Sequence, residues 1–443
     1  VGLGQQLIGT RNTSVAIIGG GYAGLAAALE LASARTPVTV FETSRVLGGR
    51  ARRVELNGLA VDNGQHLLVG AYVEIQRLLH VIGADANRLL SRQCLELSFA
   101  DGFRLRAPNL PAPLHMAVAL LCATLSLADR LAALRFMKAL KRSGFRLAKD
   151  TTVAELLERH RQPPAVRSYL WEPLCVAALN TPPATASAQV FASVLQDSLA
   201  GPRDASDMLY PATDLSAVFP EPAAAYVQAH GGSVCCECGV KSIVPTQAGF
   251  DIIHDQGIGR FSHVVVAVAP YHLAPLLADL PGMAAPLQLT NALRYEPIAT
   301  AYLAFPDHIK LAKPMLGLSR GHAQWLFDRG RLTGQCGLIA AVISASGTWQ
   351  DLPSEQLLAE VHDEIGKVVA NLPPPKWSRL IVEKRATFAC IPNLQRPAMV
   401  TPLRNLLLAG DYVASNYPAT LETAVRSGVA AARSILETAG SQP

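Results

Sequence analysis

Charge is scarce in this chain. Only 16% of its 443 residues are Asp, Glu, Lys or Arg, while half are apolar. That leaves ample material for burial and points to an apolar surface or an apolar ligand. The net charge of +5 is modest, and no stretch interleaves aromatic with basic residues, which argues against nucleic acid as a partner. No apolar run reaches the roughly 20 residues that a membrane-crossing helix needs. The opening Val1–Gln6 has neither a charged leader nor an apolar core, so no signal peptide is expected, and the missing initiator Met reads as a trimmed start. The eight cysteines are mostly scattered. Cys235 and Cys238 form one C-x-x-C, but no second pair and no His-x-x-His follows. No metal site is expected, and reduced thiols suit a cytoplasmic chain. Internal repeats and low-complexity segments are lacking as well.

What is present is more specific. Gly19-Gly20-Gly21-Tyr22-Ala23-Gly24 follows the apolar run Val15–Ile18 and opens a helix-like stretch through Leu31. A strand, a tight glycine turn and a helix N-terminus make the arrangement that cradles a pyrophosphate. Gly19 permits the turn, Gly21 lets the backbone approach the phosphates, and Gly24 lets helix pack on strand. Glu42 ends a second strand-like run, Val38–Phe41, about twenty residues on, where an acid takes the ribose hydroxyls. Its charge argues against a ribose that carries an extra phosphate.

Arg45-Val46-Leu47-Gly48-Gly49-Arg50 follows, with two glycines exposing backbone N–H groups and arginines that can pair with phosphate oxygens. Near the other end, Asn405–Asp411 reads as a buried strand closing on Gly410-Asp411, followed by a helix-like segment from Leu421. Taken alone, that Gly-Asp would read as a surface loop. Together the three pieces resemble the FAD-binding flavoprotein superfamily of amine oxidases, protoporphyrinogen oxidases and phytoene desaturases, over nearly the whole chain. The resemblance implies FAD as cofactor, with Gly19, Gly21 and Gly24 at the pyrophosphate and Glu42 at the adenosine ribose. It also implies that Gly48, Gly49 and Arg50 face phosphate, and that Gly410 and Asp411 close over the ribitol or pyrophosphate.

The implied fold class is α/β: a Rossmann-like FAD-binding domain of amine oxidase/phytoene desaturase type with an interleaved α+β substrate domain. Segments 1–85, 220–275 and 400–443 are assigned to the FAD-binding domain. Segments 86–219 and 276–399 are assigned to the substrate domain. Residues 232–240, which hold the C-x-x-C, read as a strand, as do 295–305 and 336–345, with a helix around 354–371. Only one dinucleotide fingerprint exists, because Gly257-Ile258-Gly259 lacks a third glycine and an apolar helix. Electrons must therefore be exchanged with oxygen, a quinone, the substrate or an external donor.

Residues 114–128 are apolar almost all round, and Arg130, Arg135, Lys138, Lys141, Arg142, Arg146 and Lys149 follow without an acid among them. This pair suits a peripheral contact with anionic lipid, on the inner membrane face. It equally suits a buried helix lining a tunnel, and both readings favour an apolar substrate. The segments 171–188, 209–216 and 410–422 resemble the squalene-associated branch, the hydroxysqualene dehydroxylases of bacterial hopanoid biosynthesis. That resemblance implies FAD-dependent reductive dehydroxylation of hydroxysqualene, an isoprenoid substrate, to squalene, with an external electron donor. The chemistry needs an acid for the departing hydroxyl. Candidates are His66, in Asp62-Asn63-Gly64-Gln65-His66, with Asp214 and Tyr210 in a loop before the helix that returns to the FAD-binding domain. A loop His is also a common hydrogen-bond partner, and Asp214 equally suits a helix cap. Glu172 could simply pair with an Arg, and Tyr417 could face the flavin or pack. The rival readings are a phytoene-type desaturase, an amine oxidase, and a lipid-binding protein that keeps FAD as a structural element.

Overall fold

The computed structural model describes residues 13–440; the readings of Val1–Gln6, and the outermost ends of segments 1–85 and 400–443, lie outside them. In chain order, the elements that position the site begin with β1 (Val15–Ile18), α1 (Tyr22–Ser33), β2 (Val38–Phe41) and the hairpin β3 (Arg53–Leu56) and β4 (Leu59–Asp62). A helical stretch then includes α2 (Leu114–Leu121), α3 (Leu127–Arg142) and α4 (Ala188–Leu199). Next come β5 (Met208–Pro211), α5 (Pro220–Ala229), β6 (Ser233–Cys235) and β7 (His263–Val266). A second sheet contributes β8 (Tyr295–Ala304), β9 (Met315–Gly317), β10 (Trp325–Asp328), β11 (Leu338–Ser344) and, after α6 (Ser354–Gly366), β12 (Trp377–Phe388). β13 (Leu406–Leu408) and α7 (Leu421–Gly440) follow.

The first sheet has the order β6-β2-β1-β7-β13, with all neighbours parallel. Every residue of β1 is buried, as expected for a parallel strand covered on both faces. α1 is almost wholly enclosed, with Ala26, Ala27, Ala28 and Leu29 at 0% exposure. Its small side chains let α7 pack directly on its backbone. A Cβ on Gly428 would stand 2.0 Å from the Ala23 carbonyl oxygen, so that crossing requires glycine.

The second sheet is antiparallel, in the order β9-β10-β11-β8-β12. Strand alternation divides its side chains between two cores. Ala299, Ala301, Leu303, Ile339, Ala341 and Ile343 pack with Leu357, Val361 and Ile365 of α6. Tyr302, Ala304, Ala340 and Val342 face the larger core, which includes Phe136 of α3 and Phe191 of α4.

Three stretches depart from their sequence reading. Within 232–240 the strand breaks after Ser233–Cys235 and a second one starts only at Val240, because Glu237 takes a left-handed φ of 52° and the Cys238 N–H turns to the Glu42 carbonyl. The apolar stretch 114–128 is two elements: α2 stops at Leu121, and the Ser126 hydroxyl caps α3 by accepting from the Asp129 N–H. The helix expected over 354–371 ends at Gly366. No helix among the described residues is long and apolar enough to cross a membrane.

Candidate active site

The glycine turn fits a dinucleotide by its empty space. α1 starts from Gly21 with no side-chain cap, which leaves its N-terminal N–H groups and dipole to favour an anion. Gly19 holds φ 113°, and a Cβ there would stand 2.6 Å from the Ala267 carbonyl oxygen. A Cβ on Gly24 would stand 2.0 Å from the Gly19 carbonyl oxygen. Gly21 differs, since a Cβ on it would meet only the Gly49 Cα, at 3.9 Å. Gly48 donates its N–H to the Gly20 carbonyl at 3.0 Å, and Gly48 and Gly49 sit at φ 116° and 62°. Gly21 and Gly49 thus face each other as a bare backbone cradle that side chains would fill, while the other glycines serve the close turns around it. Beside it, the Glu42 carboxylate accepts the Gly20 N–H at 2.7 Å and the Ser44 N–H at 2.8 Å. Each oxygen keeps a lone pair for a ribose hydroxyl.

Arg50 and Asp411, remote in sequence, meet at 2.6 Å, and Arg50 also donates to the Ala386 carbonyl at 2.8 Å. Sequence reasoning assigned each to the cofactor separately; the fold makes them one ion pair. Gly410 precedes the pair and donates its N–H to the Ser427 hydroxyl of α7 at 2.8 Å. Around them stand aromatic residues that no local motif singled out. The Tyr271 and Tyr295 rings lie edge to face at 5.7 Å, with the Arg385 guanidinium 4.6 Å from the Tyr271 ring. The Tyr412 hydroxyl is buried without a partner, and burial raises its pKa. Arg396 donates to the Asp411 carbonyl at 3.2 Å and lies over the Phe388 ring. Arg396, Phe388, Cys390 and Ser415 line a cavity of about 110 Å³, less than the roughly 300 Å³ where ligand sites usually begin.

The segment from Asp62 to His66 adjoins this pair through Asn63, whose side chain donates to the Arg50 carbonyl at 3.2 Å. Asp62 ends β4 at 0% exposure. One of its oxygens accepts the Leu215 N–H at 2.7 Å and the other has no hydrogen-bond partner. Burial outweighs the Arg329 guanidinium 4.0 Å away and pushes the Asp62 carboxyl up to about 7. Arg329, itself 1% exposed, donates to the Gln65 side chain at 2.9 Å. His66 Nδ1 lies 2.6 Å from the Gly64 carbonyl oxygen. A carbonyl can only accept, so Nδ1 carries the proton and Nε2 is an acceptor in the neutral ring. Burial lowers the His66 pKa, against the bond to Gly64.

The other candidate acids do not converge on one point. Asp214 caps the short helix Leu215–Val218 by accepting the Ala217 N–H at 3.1 Å, and pairs with Arg53 at 3.3 Å. Tyr210 lies in β5 rather than in a loop, since residues 208–209 pair with Leu68 and Val69. Its hydroxyl reaches the Met208 sulfur at 3.5 Å. Glu172 pairs with Arg167 at 2.9 Å. Tyr417 donates to Asp197 at 2.7 Å, with the Arg426 guanidinium 4.6 Å from its ring. Asp62 and Arg329 were missed as site residues. Asp62 stood inside a motif already singled out, whereas Arg329 carries no local signal.

Comparison with known proteins agrees with this geometry. A family model described as flavin containing amine oxidoreductase matches residues 22–436. Among curated relatives, the hydroxysqualene dehydroxylase of Rhodopseudomonas palustris is 33% identical, covering 96% of this chain and 98% of its own. That of Sinorhizobium fredii is 28% identical, covering 95% and 97%. The 15-cis-phytoene desaturase of Synechococcus elongatus is 24% identical, covering 95% of each. Among solved structures, cyclohexylamine oxidase from Brevibacterium oxydans superposes with a TM-score of 0.70 at 18% identity, covering 96% of this chain and 99% of that one.

Proposed function

The chain belongs to the flavin-containing amine oxidoreductase family, within which it is an FAD-dependent oxidoreductase of the hydroxysqualene dehydroxylase branch, and we propose that it reduces hydroxysqualene to squalene. The observation that carries the reading is the end-to-end likeness to dehydroxylases, at higher identity than to a desaturase. The reaction exchanges a carbon–oxygen bond for a carbon–hydrogen bond: hydroxysqualene, a hydride and a proton give squalene and water. When bound, reduced FAD supplies the hydride.

The chain's own residues divide the remaining work. In this reading Gly19 makes the turn, Gly21 admits the pyrophosphate to the α1 N-terminus, Gly24 lets α1 pack close behind it, and Glu42 orients the adenosine ribose. Gly48, Gly49 and Arg50 hold phosphate, while Gly410 and Asp411 close over the ribitol. His66 is assigned the proton that leaves with the hydroxyl. In its neutral form Nε2 orients that hydroxyl as an acceptor, and in its protonated form it donates. Asp214 and Tyr210 act as supports of the 62–69 segment, since both side chains are held by cap, ion pair or packing. The cavity beside Asp411 is too small for a triterpene, so the isoprenoid tail lies beyond it. Apolar walls around the reacting carbon would exclude the water that recaptures an allylic cation. With one dinucleotide fingerprint in the chain, the reducing equivalents come from an external donor.

The test is anaerobic incubation of the chemically reduced flavoprotein with hydroxysqualene. Squalene formed in step with flavin reoxidation is the expected result. Unchanged hydroxysqualene with flavin still reduced would overturn the proposal, and conversion of a phytoene-like polyene by the oxidised protein would favour the desaturase reading.

A further inference from the structure

Among the described residues, five of the ten exposed large apolar side chains lie in one short stretch: Leu110, Leu114, Leu121, Leu127 and Leu131. Leu127 is 65% exposed and Leu114 56%. Solvent-facing leucines concentrated this way mark a surface that another apolar phase covers. α2 and α3 are nonetheless anchored, because His115, Ala119 and Leu120 of α2 and Ala133, Phe136 and Leu140 of α3 are buried. The leucines are therefore the outer face of a packed helical pair.

The outer face of α3 changes character along its length. Leu127, Leu131, Arg135, Lys138 and Arg142 follow one another at intervals of three or four residues and share one side of the helix. Leu131 and Arg135 are separated by about 6 Å along the axis. Lys141, Arg146 and Lys149 extend the basic part, and no acid occurs between Arg130 and Lys149. None of these cations forms an ion pair among the described residues.

We propose that the outer face of α2 and α3 docks on an anionic lipid bilayer, with Leu114, Leu121, Leu127 and Leu131 in the acyl boundary and the cations of α3 among the headgroups. Interfacial helices bury their apolar side chains about 5–10 Å into that boundary. Basic residues at this position gain from the negative surface potential of the leaflet. A protein partner would need acidic rather than apolar complement along half of the face, and a second copy of this chain would oppose like charges. The docking does not rest on the substrate reading.

Sedimentation with vesicles tests it in the absence of substrate. The flavin-loaded protein is expected to pellet with vesicles of phosphatidylcholine and phosphatidylglycerol, and far less with phosphatidylcholine alone. High salt should weaken binding at least tenfold. Leu127→Ser with Leu131→Ser should reduce partition at least tenfold. Arg135→Glu, Lys138→Glu and Arg142→Glu together should reduce it on the order of a hundredfold and abolish the preference for phosphatidylglycerol. These side chains face solvent, and bound flavin absorbance reports that each variant is folded. Wild-type protein remaining in the supernatant at low salt would overturn the proposal, as would variants that bind like wild type. Lipid-free dimers that the leucine variant dissociates would overturn it in favour of self-association.

Discussion

At the residue scale, the two groups whose protonation matters most are both in the segment Asp62–His66. Asp62 has an ordinary carboxyl value of 3.8 and is pushed to about 7 by burial. The folded chain therefore holds this proton more tightly than the unfolded chain does. The stabilisation is complete below about pH 4 and is lost as the pH climbs towards 7, on the order of 4 kcal/mol in all. Thermal unfolding between pH 4 and 8 should show a shallower fall for Asp62→Asn than for wild type; parallel curves would remove Asp62 as the cause. His66 is shifted the other way by burial. If its imidazolium gives the proton, turnover should fall as pH rises through a pKa below 6.5. His66→Ala should then lower turnover on the order of a hundredfold, with flavin content unchanged. A pH profile that survives the substitution would assign the proton elsewhere. The Asp-x-Gly-x-His spacing was legible, and so was His66. The Asp62 environment was not, because Arg329 and Leu215 approach it only after folding.

At the element scale, the glycine turn and the two helices behind it behave as one device with two kinds of glycine. Gly24 and Gly428 exist for packing, since a Cβ on either would stand 2.0 Å from a backbone oxygen. Gly428→Ala should push α7 off α1, cost about 1–3 kcal/mol in stability and reduce flavin content. Gly21 exists for the ligand: its φ of −82° suits any L-residue and its nearest neighbour would be 3.9 Å away. Gly21→Ala should therefore leave the unfolding midpoint of the flavin-free protein unchanged while weakening FAD at least tenfold by titration. Equal losses of stability in the two variants would contradict this division. The first glycine cluster was readable from the strand–turn–helix pattern. Gly428 was not, because nothing near it in sequence shows which helix it crosses.

At the scale of the whole molecule, the parallel sheet draws strands from residues 15–41, 233–266 and 406–408. The ion pair between Arg50 and Asp411 ties the first and last of these across the cradle. A ligand that touches both should hold the folded state by mass action, by about 2.7 kcal/mol at a hundred times its dissociation constant. Removing flavin should lower the denaturant midpoint accordingly, and adding FAD back should restore it; an unchanged midpoint would mean that FAD does not bind the folded chain in preference to the unfolded one.

By itself the sequence determined what is carried by local pattern. The Gly19–Gly24 turn, the acid at Glu42 and the Gly410-Asp411 ending are short-range chemistry; they marked a dinucleotide site, and the family resemblance they carry implied FAD and the α/β class. Scarce charge and the apolar stretch 114–128 pointed towards an apolar substrate as an expectation only. Tertiary structure alone decided which remote residues meet. It paired Arg50 with Asp411 and Arg53 with Asp214, set Arg329 against Asp62 and broke the apolar stretch at Leu121. The physical reason is that periodicity reports which face of an element is buried, whereas ion pairs and shifted protonation depend on what folding brings across the core.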